Sequence, residues 1–429
     1  MLFFVKHVSK LFNMQSIYTR RATVSWALYD WANSAFYTTV VAGFFPIFFQ
    51  KYWSSGVDPT VTTSRLGFAT GIAGFIVALL APVLGAMADR SGTRKRQLFF
   101  WSMCGVLATA SLSLVGQGQW FVSASLFVIA AVGASAANVF YDSLILNVSD
   151  DSELDRVSAF GFSLGYLGGG LLFSCNVLMT IRPQWFGLVN SVEAVRASFF
   201  LAAVWWLFFS LPLLRNVHEA HVKKPLLSWG YSFCQSFVSL LRTIKAIREY
   251  PNLSLFLIAY WLYIDGVNTI YAMAVDYGVA LGLPTESLLA ALLLTQFVAF
   301  PASLTLGWVG HRFGAKKGIL FCIFVYLGAT IYAYFLNSIS EFFALAVVVG
   351  LVQGGIQSLS RSFFARLIPV GRSAEFFGFY NMMGKFASIL GPILIGSVAL
   401  ITSDSRASIS SLMILFFLGG VLMWRIPSK

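Results

Sequence analysis

Two stretches of this chain repeat one arrangement of an indole, a carboxylate and an amide. Trp26, Asp30 and Asn33 lie at i, i+4 and i+7, and Trp261, Asp265 and Asn268 repeat the spacing. On a helix each set forms a single stripe. Both stripes sit in otherwise apolar segments. A charge at mid-bilayer costs about 3 kcal/mol on insertion scales, so such a carboxylate needs an aqueous cavity, a partner or both. Desolvation favours the neutral form of a carboxyl group, which suits Asp30 and Asp265 to holding a proton or a cationic group. The simpler alternative is that each aspartate ties its helix to a neighbour.

Other polar side chains fall in apolar segments in the same way. Lys385 lies roughly 15 Å into one of them at 1.5 Å per residue. It suits a solute carboxylate, neutralisation of Asp265 or Asp30, or a structural ion pair. Gln353, Gln357, Ser360 and Arg361 share one stripe, and Ser135, Asn138 and Asp142 share another, with Tyr141 beside them. Such seams line cavities more often than they face lipid. Arg361 and Asp142 lie near the inner ends of their segments and read as an inner gate. Asp30, Asn33, Asp265, Asn268, Lys385, Gln353, Gln357, Asn138 and Tyr141 read as the substrate- or proton-binding set. A carboxylate for an amine beside a Lys or Arg for a carboxylate would suit a zwitterionic amino acid.

The elements that must position these residues follow from composition. Of 429 residues 58% are hydrophobic and 11% charged, and mean hydropathy is +0.77. A soluble chain of this length needs more polar surface. Apolar runs of ~20 residues, each enough to cross a ~30 Å hydrocarbon layer, recur throughout. They do not alternate as barrel strands would. The pattern predicts spans near 22–50, 65–88, 97–115, 119–147, 158–181, 194–214, 252–280, 286–310, 317–337, 341–365, 375–401 and 407–426. The net charge of +12 invites a nucleic-acid partner, but its distribution argues otherwise: twenty-three of the 29 Lys and Arg fall in alternate, inner segments. Five (Lys51, Arg65, Arg182, Arg196, Arg406) fall in outer loops. The positive-inside rule then puts both termini in the cytoplasm.

Internal repetition divides the chain. Besides the Trp–Asp–Asn stripes, Gly85-x3-Asp89-Arg90-x-Gly92-x-Arg94-Lys95 recurs as Gly307-x3-His311-Arg312-x-Gly314-x-Lys316-Lys317. Arg156 with Phe160-Gly161-Phe162 recurs as Arg372 with Phe377-Gly378-Phe379. Three matches in order indicate duplicated halves in parallel arrangement. The expected architecture is all-α and integral to the membrane, with twelve transmembrane helices in two pseudo-symmetric six-helix bundles. The domains are a tail over 1–21, a bundle over 22–214, a linker over 215–251, a second bundle over 252–426 and a short tail over 427–429. Leu226 to Tyr250, with Arg242, Lys245 and Arg248, reads as an amphipathic helix on the membrane surface.

The loop from Gly85 to Arg96 resembles the signature loop of the major facilitator superfamily. More narrowly, Trp26-Ala-Leu-Tyr-Asp30-Trp-Ala-Asn33-Ser-Ala-Phe36 resembles the first span of the autophagy-related vacuole effluxer-like family. Tyr263-Ile-Asp265-Gly-Val-Asn268-Thr, Gly354-Gly-Ile-Gln357-Ser-Leu-Ser-Arg361-Ser and Glu375 to Phe386 are similar to that family too. The resemblance covers about Trp26 to Gly396 and implies a twelve-helix transporter, with fungal vacuolar members associated with amino-acid efflux. There are two departures: His311 stands where the second loop usually carries Asp, and Asp142-Ser143 stands where the fourth span usually carries Asn-Ala. In the first loop, Gly85 and Gly92 permit close turns, and Asp89 can meet a helix N-terminus from the other half. Arg90, Arg94 and Arg96 can hold Asp150, Asp151, Glu153 or Asp155, forming a latch that breaks during alternation.

These readings converge on a secondary transporter of a small polar solute, amino acids or related compounds, driven by protons and working outward. Sugar or drug export is the alternative within transport, and a membrane sensor or scaffold the alternative outside it. No Walker-type Gly-x4-Gly-Lys-Ser/Thr motif occurs, and no nucleophile–base pair is evident, so neither ATP, another cofactor nor enzymatic chemistry is expected. The four cysteines (Cys104, Cys175, Cys234, Cys322) lack pair or metal-ligand spacing. The expected partners are the solute, protons and the lipid bilayer, with no nucleic acid, and the chain is expected to be monomeric. Short loops favour a bacterial inner membrane. The first residues do not read as a cleavable signal, and Met14 is an alternative start to Met1.

Overall fold

The computed structural model describes residues 20–219, 249–369, 371–387, 390–402 and 405–427. The first 19 residues and nearly all of the expected amphipathic linker helix lie outside them.

Among the described residues there are helices and connections but no strands. Of the helices in the described residues, ten are long and apolar enough to cross a membrane. They include α1 (Arg21–Ala35) with its continuation to Trp53, α2 (Pro59–Ser91), α4 (Trp120–Ser143), α5 (Leu154–Ile181) and α6 (Ser191–Asn216). In the second half they are α7 (Pro251–Ala280), α8 (Thr285–Phe313), α9 (Ala315–Tyr334), α10 (Ile339–Leu367) and the final pair α13 (Ser405–Ser410) and α14 (Met413–Arg425). The two other expected spans are helical as well. The third, α3 (Arg94–Leu112), begins on three basic residues. The eleventh is two helices, α11 (Ser373–Phe386) and α12 (Leu390–Thr402).

Local chemistry sets several ends. Gly92 and Gly314 take positive φ (62° and 95°), where a side chain would be strained, and end α2 and α8 at corresponding points of the two halves. Ser338 caps α10 in a reciprocal box with Glu341, and Asn190 caps α6 through the Glu193 amide. The first span does not stay α-helical. From Phe36 to Phe44 it widens to a π-helix, ending just before Pro46, which has no N–H to give.

The halves meet along two helix pairs related by the repeat, α2 against α11 and α5 against α8. Small residues let the backbones touch. A Cβ on Gly85 would lie 2.0 Å from the Ala374 carbonyl oxygen, and one on Gly307 would lie 2.2 Å from the Ala159 Cβ. The cores of the halves differ. Phe45, Phe49, Trp53, Phe127, Phe199 and Trp206 fill the first. The second holds a mainly apolar cavity of about 60 Å³ whose lining includes Ala274, Ala291, Ala329, Ala333 and Ala346.

A candidate transport pathway between the halves

One end of the bundle carries the basic loops and is called the basic face below. Behind it lies a buried guanidinium. Arg361 of α10 is 2% exposed. Its Nη1 lies 3.1 Å from Asp142 Oδ1, and both Nη atoms lie 3.4 Å from Asp30 Oδ2. Its Nε donates to Ser158 Oγ (2.9 Å) and its Nη2 to the Ser158 carbonyl (2.9 Å). The guanidinium also stacks 4.2 Å from the Phe162 ring centre and 4.8 Å from that of Trp26. One side chain from the second half thus grips α1, α4 and α5 of the first. Two carboxylates and two serine oxygens satisfy a cation that could not otherwise be buried.

The partners are themselves held. Tyr141 donates to Asp30 Oδ2 at 2.7 Å. Trp26 stacks on Tyr141 with ring centres 4.6 Å apart, and its indole N–H donates to the Tyr141 carbonyl. Asn381 of α11 donates to Asp142 Oδ2 at 3.0 Å. The Asp142 that departs from the expected Asn is therefore an ion-pair partner across the halves.

Two latches close the basic face. Asp89 Oδ2 accepts the Glu375 N–H at the start of α11 (2.8 Å), while Oδ1 takes Arg94 Nη2 at 2.7 Å. An acid at a helix N-terminus meets its free amides and its dipole. The expected meeting of Asp89 with a helix start from the other half is present. The expected arginine partners are different. Arg94 holds Asp89 of its own loop, Arg96 is exposed, and Glu153 and Asp155 pair with Arg20 and Arg366. Asp89, only five residues away, takes Arg94 Nε and Nη2, and the remaining Nη1 meets Asn147 (3.3 Å) rather than an acid of the next inner loop. The Arg90 side chain is outside the described residues.

The second latch is the first one's counterpart. Asp155, 2% exposed in the first turn of α5, receives both Arg366 Nη atoms at 2.8 and 2.9 Å and Ser362 Oγ at 2.5 Å. His311 stands where Asp89 stands in the first half, and its Nδ1 lies 2.8 Å from the Ser152 carbonyl oxygen. A carboxylate there could not approach a carbonyl oxygen, whereas an imidazole N–H can donate to it.

Further from the basic face is a belt of amides and phenols. Asn33 donates to Asn138, and Asn138 Nδ2 to Tyr37 OH (3.3 Å). Tyr166 OH donates to Gln357 (2.6 Å), and Gln296 to Tyr271 OH (2.9 Å). Lys385, half-buried, has its Nζ 5.8 Å from the Tyr37 ring centre. No carboxylate of the described residues lies within ion-pair distance of it. Gln353 is buried nearby on the Gln357 stripe.

The two stripe aspartates do not look into one space. Asp265 is fully buried; its carboxylate accepts the Leu390 and Gly391 amides, each at 2.9 Å, and the Thr269 hydroxyl at 3.2 Å. It caps α12 where the eleventh span is broken. Asn268, half-buried, lies one turn further along α7. Ser158, Asn381, Tyr166, Glu219 and Arg366 were not singled out from sequence, being ordinary polar residues until a partner is known. Tyr37 had a signal, because it continues the 26–30–33 stripe by one more turn.

Comparisons with known proteins bear on the family and the fold. A family model described as "Vacuole effluxer Atg22 like" matches residues 18–429. An uncharacterised MFS-type transporter of Bacillus subtilis, YxiO, is 41% identical over 94% of each chain. Autophagy-related protein 22-1 of Aspergillus fumigatus is 29% identical over 68% of this chain, which spans about half (51%) of that longer protein. In fold, the chain is similar to the proton:xylose symporter XylE, with a TM-score of 0.71 over 95% of this chain and 96% of that one at 12% identity. A helical bundle in two halves, matched by family model and relative alike, belongs to the vacuole effluxer Atg22-like family of MFS-type membrane transporters, which are not enzymes.

Proposed function

We propose that this transporter moves a small carboxylate-bearing solute, with amino acids the leading class, outward by alternating access coupled to protons. The observation that carries the reading is Lys385. It is a cation between the halves, without a carboxylate partner among the described residues, beside Tyr37, Asn138 and Asn33. A solute carboxylate would supply the missing charge, and an amino group would find acceptors in the amide and phenol oxygens of the belt.

Proton coupling rests on Asp30. It is one of two carboxylates on Arg361, its side chain keeps 13% exposure, and Asn33 of the belt lies one turn further along the same stripe. A proton on Asp30 removes half the charge that holds Arg361 in the first half. That weakens the cross-half grip and favours opening of the basic face. With the basic face in the cytoplasm, the orientation that the positive-inside rule favours, proton entry from outside would drive opening inward and loading of the exported solute.

The test is counterflow of a labelled amino-acid mixture in proteoliposomes, comparing wild type with Lys385→Ala and Asp30→Asn. Exchange that disappears in Lys385→Ala, with Asp30→Asn exchanging but no longer responding to a pH gradient, supports the reading. Folded wild type exchanging a labelled hexose but no amino acid would overturn the substrate class.

A further inference from the structure

The surface of the second half holds a groove of about 240 Å³ between α9 and α14, lined by Leu320, Phe324, Leu327, Phe417, Gly420 and Trp424. It runs along both helices from Trp424 and Leu320 towards Phe416 and Leu327. At 1.5 Å per residue this is roughly 10 Å, about a third of the hydrocarbon layer. Phe324, Phe417 and Trp424 are 74%, 61% and 72% exposed, so its walls face the bilayer. Gly420 keeps it open, since a Cβ there would already meet Ile323 Cγ2 at 3.3 Å.

Cations gather where the groove reaches the basic face. Lys317 lies at i−3, i−7 and i−10 from Leu320, Phe324 and Leu327, on the same helical stripe as the groove wall. Lys316 donates to the Trp424 and Ile426 carbonyls (2.9 and 2.5 Å), pinning the two helix ends together. Arg425 follows the groove-lining Trp424 and is exposed, as is Lys317. The ion pairs of the basic face use Arg20, Arg94, Arg366 and Arg372, and none among the described residues uses Lys316, Lys317 or Arg425.

We propose that this groove is a binding site for an anionic phospholipid of the leaflet at the basic face. One acyl chain lies between α9 and α14, and the phosphate sits among Lys316, Lys317 and Arg425. An indole at the mouth suits the headgroup level, where Trp is favoured. Charge separates this occupant from a second copy of the chain, because two such grooves face to face would oppose the same unneutralised cations. Pinning of α9 to α14 by Lys316 gives the lipid a preformed wall, and its occupancy would stabilise the second half.

Native mass spectrometry of the detergent-purified protein, titrated with phosphatidylglycerol or phosphatidylethanolamine of identical chains, tests this. The wild type is expected to retain the anionic lipid at least about fivefold better, the equivalent of ~1 kcal/mol for one basic residue near the surface. Lys317→Glu, at an exposed position that leaves packing intact, should erase that preference while chain binding persists. Leu320→Trp, which fills the groove, should lose retention of both lipids, with thermal unfolding confirming that the variant is folded. Equal retention of the two lipids by wild type, or a preference unchanged in Lys317→Glu, overturns the proposal.

Discussion

Arg361 Nη1 and Asp142 Oδ1 stand 3.1 Å apart in a buried contact that joins the two halves of the transporter. The same guanidinium reaches Asp30 at 3.4 Å. The proposed gate and the proposed proton site therefore share one network of contacts, in which a change at one member alters the partners of the others.

Removing the cation leaves two carboxylates without compensation. Breaking a buried pair costs about 3–5 kcal/mol, so Arg361→Ala should lower the unfolding temperature and abolish transport. Arg361→Lys keeps the charge but not the fork that reaches Asp30, Asp142 and Ser158 together. It should recover stability more than flux. Flux in proteoliposomes and thermal unfolding of the three proteins decide this; a fully active Arg361→Ala would dismiss the network.

Gly85 has no room for a side chain in this closed arrangement, with the backbone Ala374 O 2.0 Å from its Cβ position. Overpacking costs ~1–3 kcal/mol, a shift of roughly five- to 150-fold in the closed population. Gly85→Leu should therefore hold the basic face open. Spin labels on Arg96→Cys and Lys317→Cys in a background without the native cysteines report it: the distance should lengthen, and an unchanged distribution counts against the close approach.

Asp265 separates a cap from a carrier. As a cap for Leu390 and Gly391 it contributes ~1–2 kcal/mol. Unfolding temperatures should then fall in the order wild type, Asp265→Asn, Asp265→Ala, with pH-driven flux preserved in the Asn variant. Loss of that flux in Asp265→Asn at unchanged stability would falsify the capping role and move the proton from Asp30 to Asp265.

The alanine-lined cavity of the second half has no polar demand, since Tyr277 and Thr295 already bond to Ala333 O and Ala291 O. Unfilled apolar space costs ~24 cal/mol per Å³, and this cavity is about 60 Å³. Ala329→Val should raise the unfolding temperature through a gain of up to ~1 kcal/mol. A lower temperature would show that the space is needed for packing around a larger group than Ala.

Much of this molecule was legible in its sequence. Length and apolarity of the runs determined the helices, and the Lys and Arg distribution determined an expected topology. The repeated Trp–Asp–Asn, Gly-x3-Asp and Phe-Gly-Phe patterns determined two related halves, and Gly85 and Asp89 marked the α2–α11 latch. These properties depend on the spacing of residue types along one helix, which a sequence displays directly. Pairing across helices is different. Asp30 and Asp265 occupy equivalent positions in two repeats, yet Asp30 meets Arg361 and Asp265 meets the start of α12. Identical local patterns acquire separate roles because the neighbours that desolvate and neutralise them come from distant segments. Lys385 could have paired with either aspartate on sequence grounds. Only the tertiary structure, by giving both carboxylates other partners and breaking the eleventh span beyond Phe386, decided that its charge faces the belt between the halves.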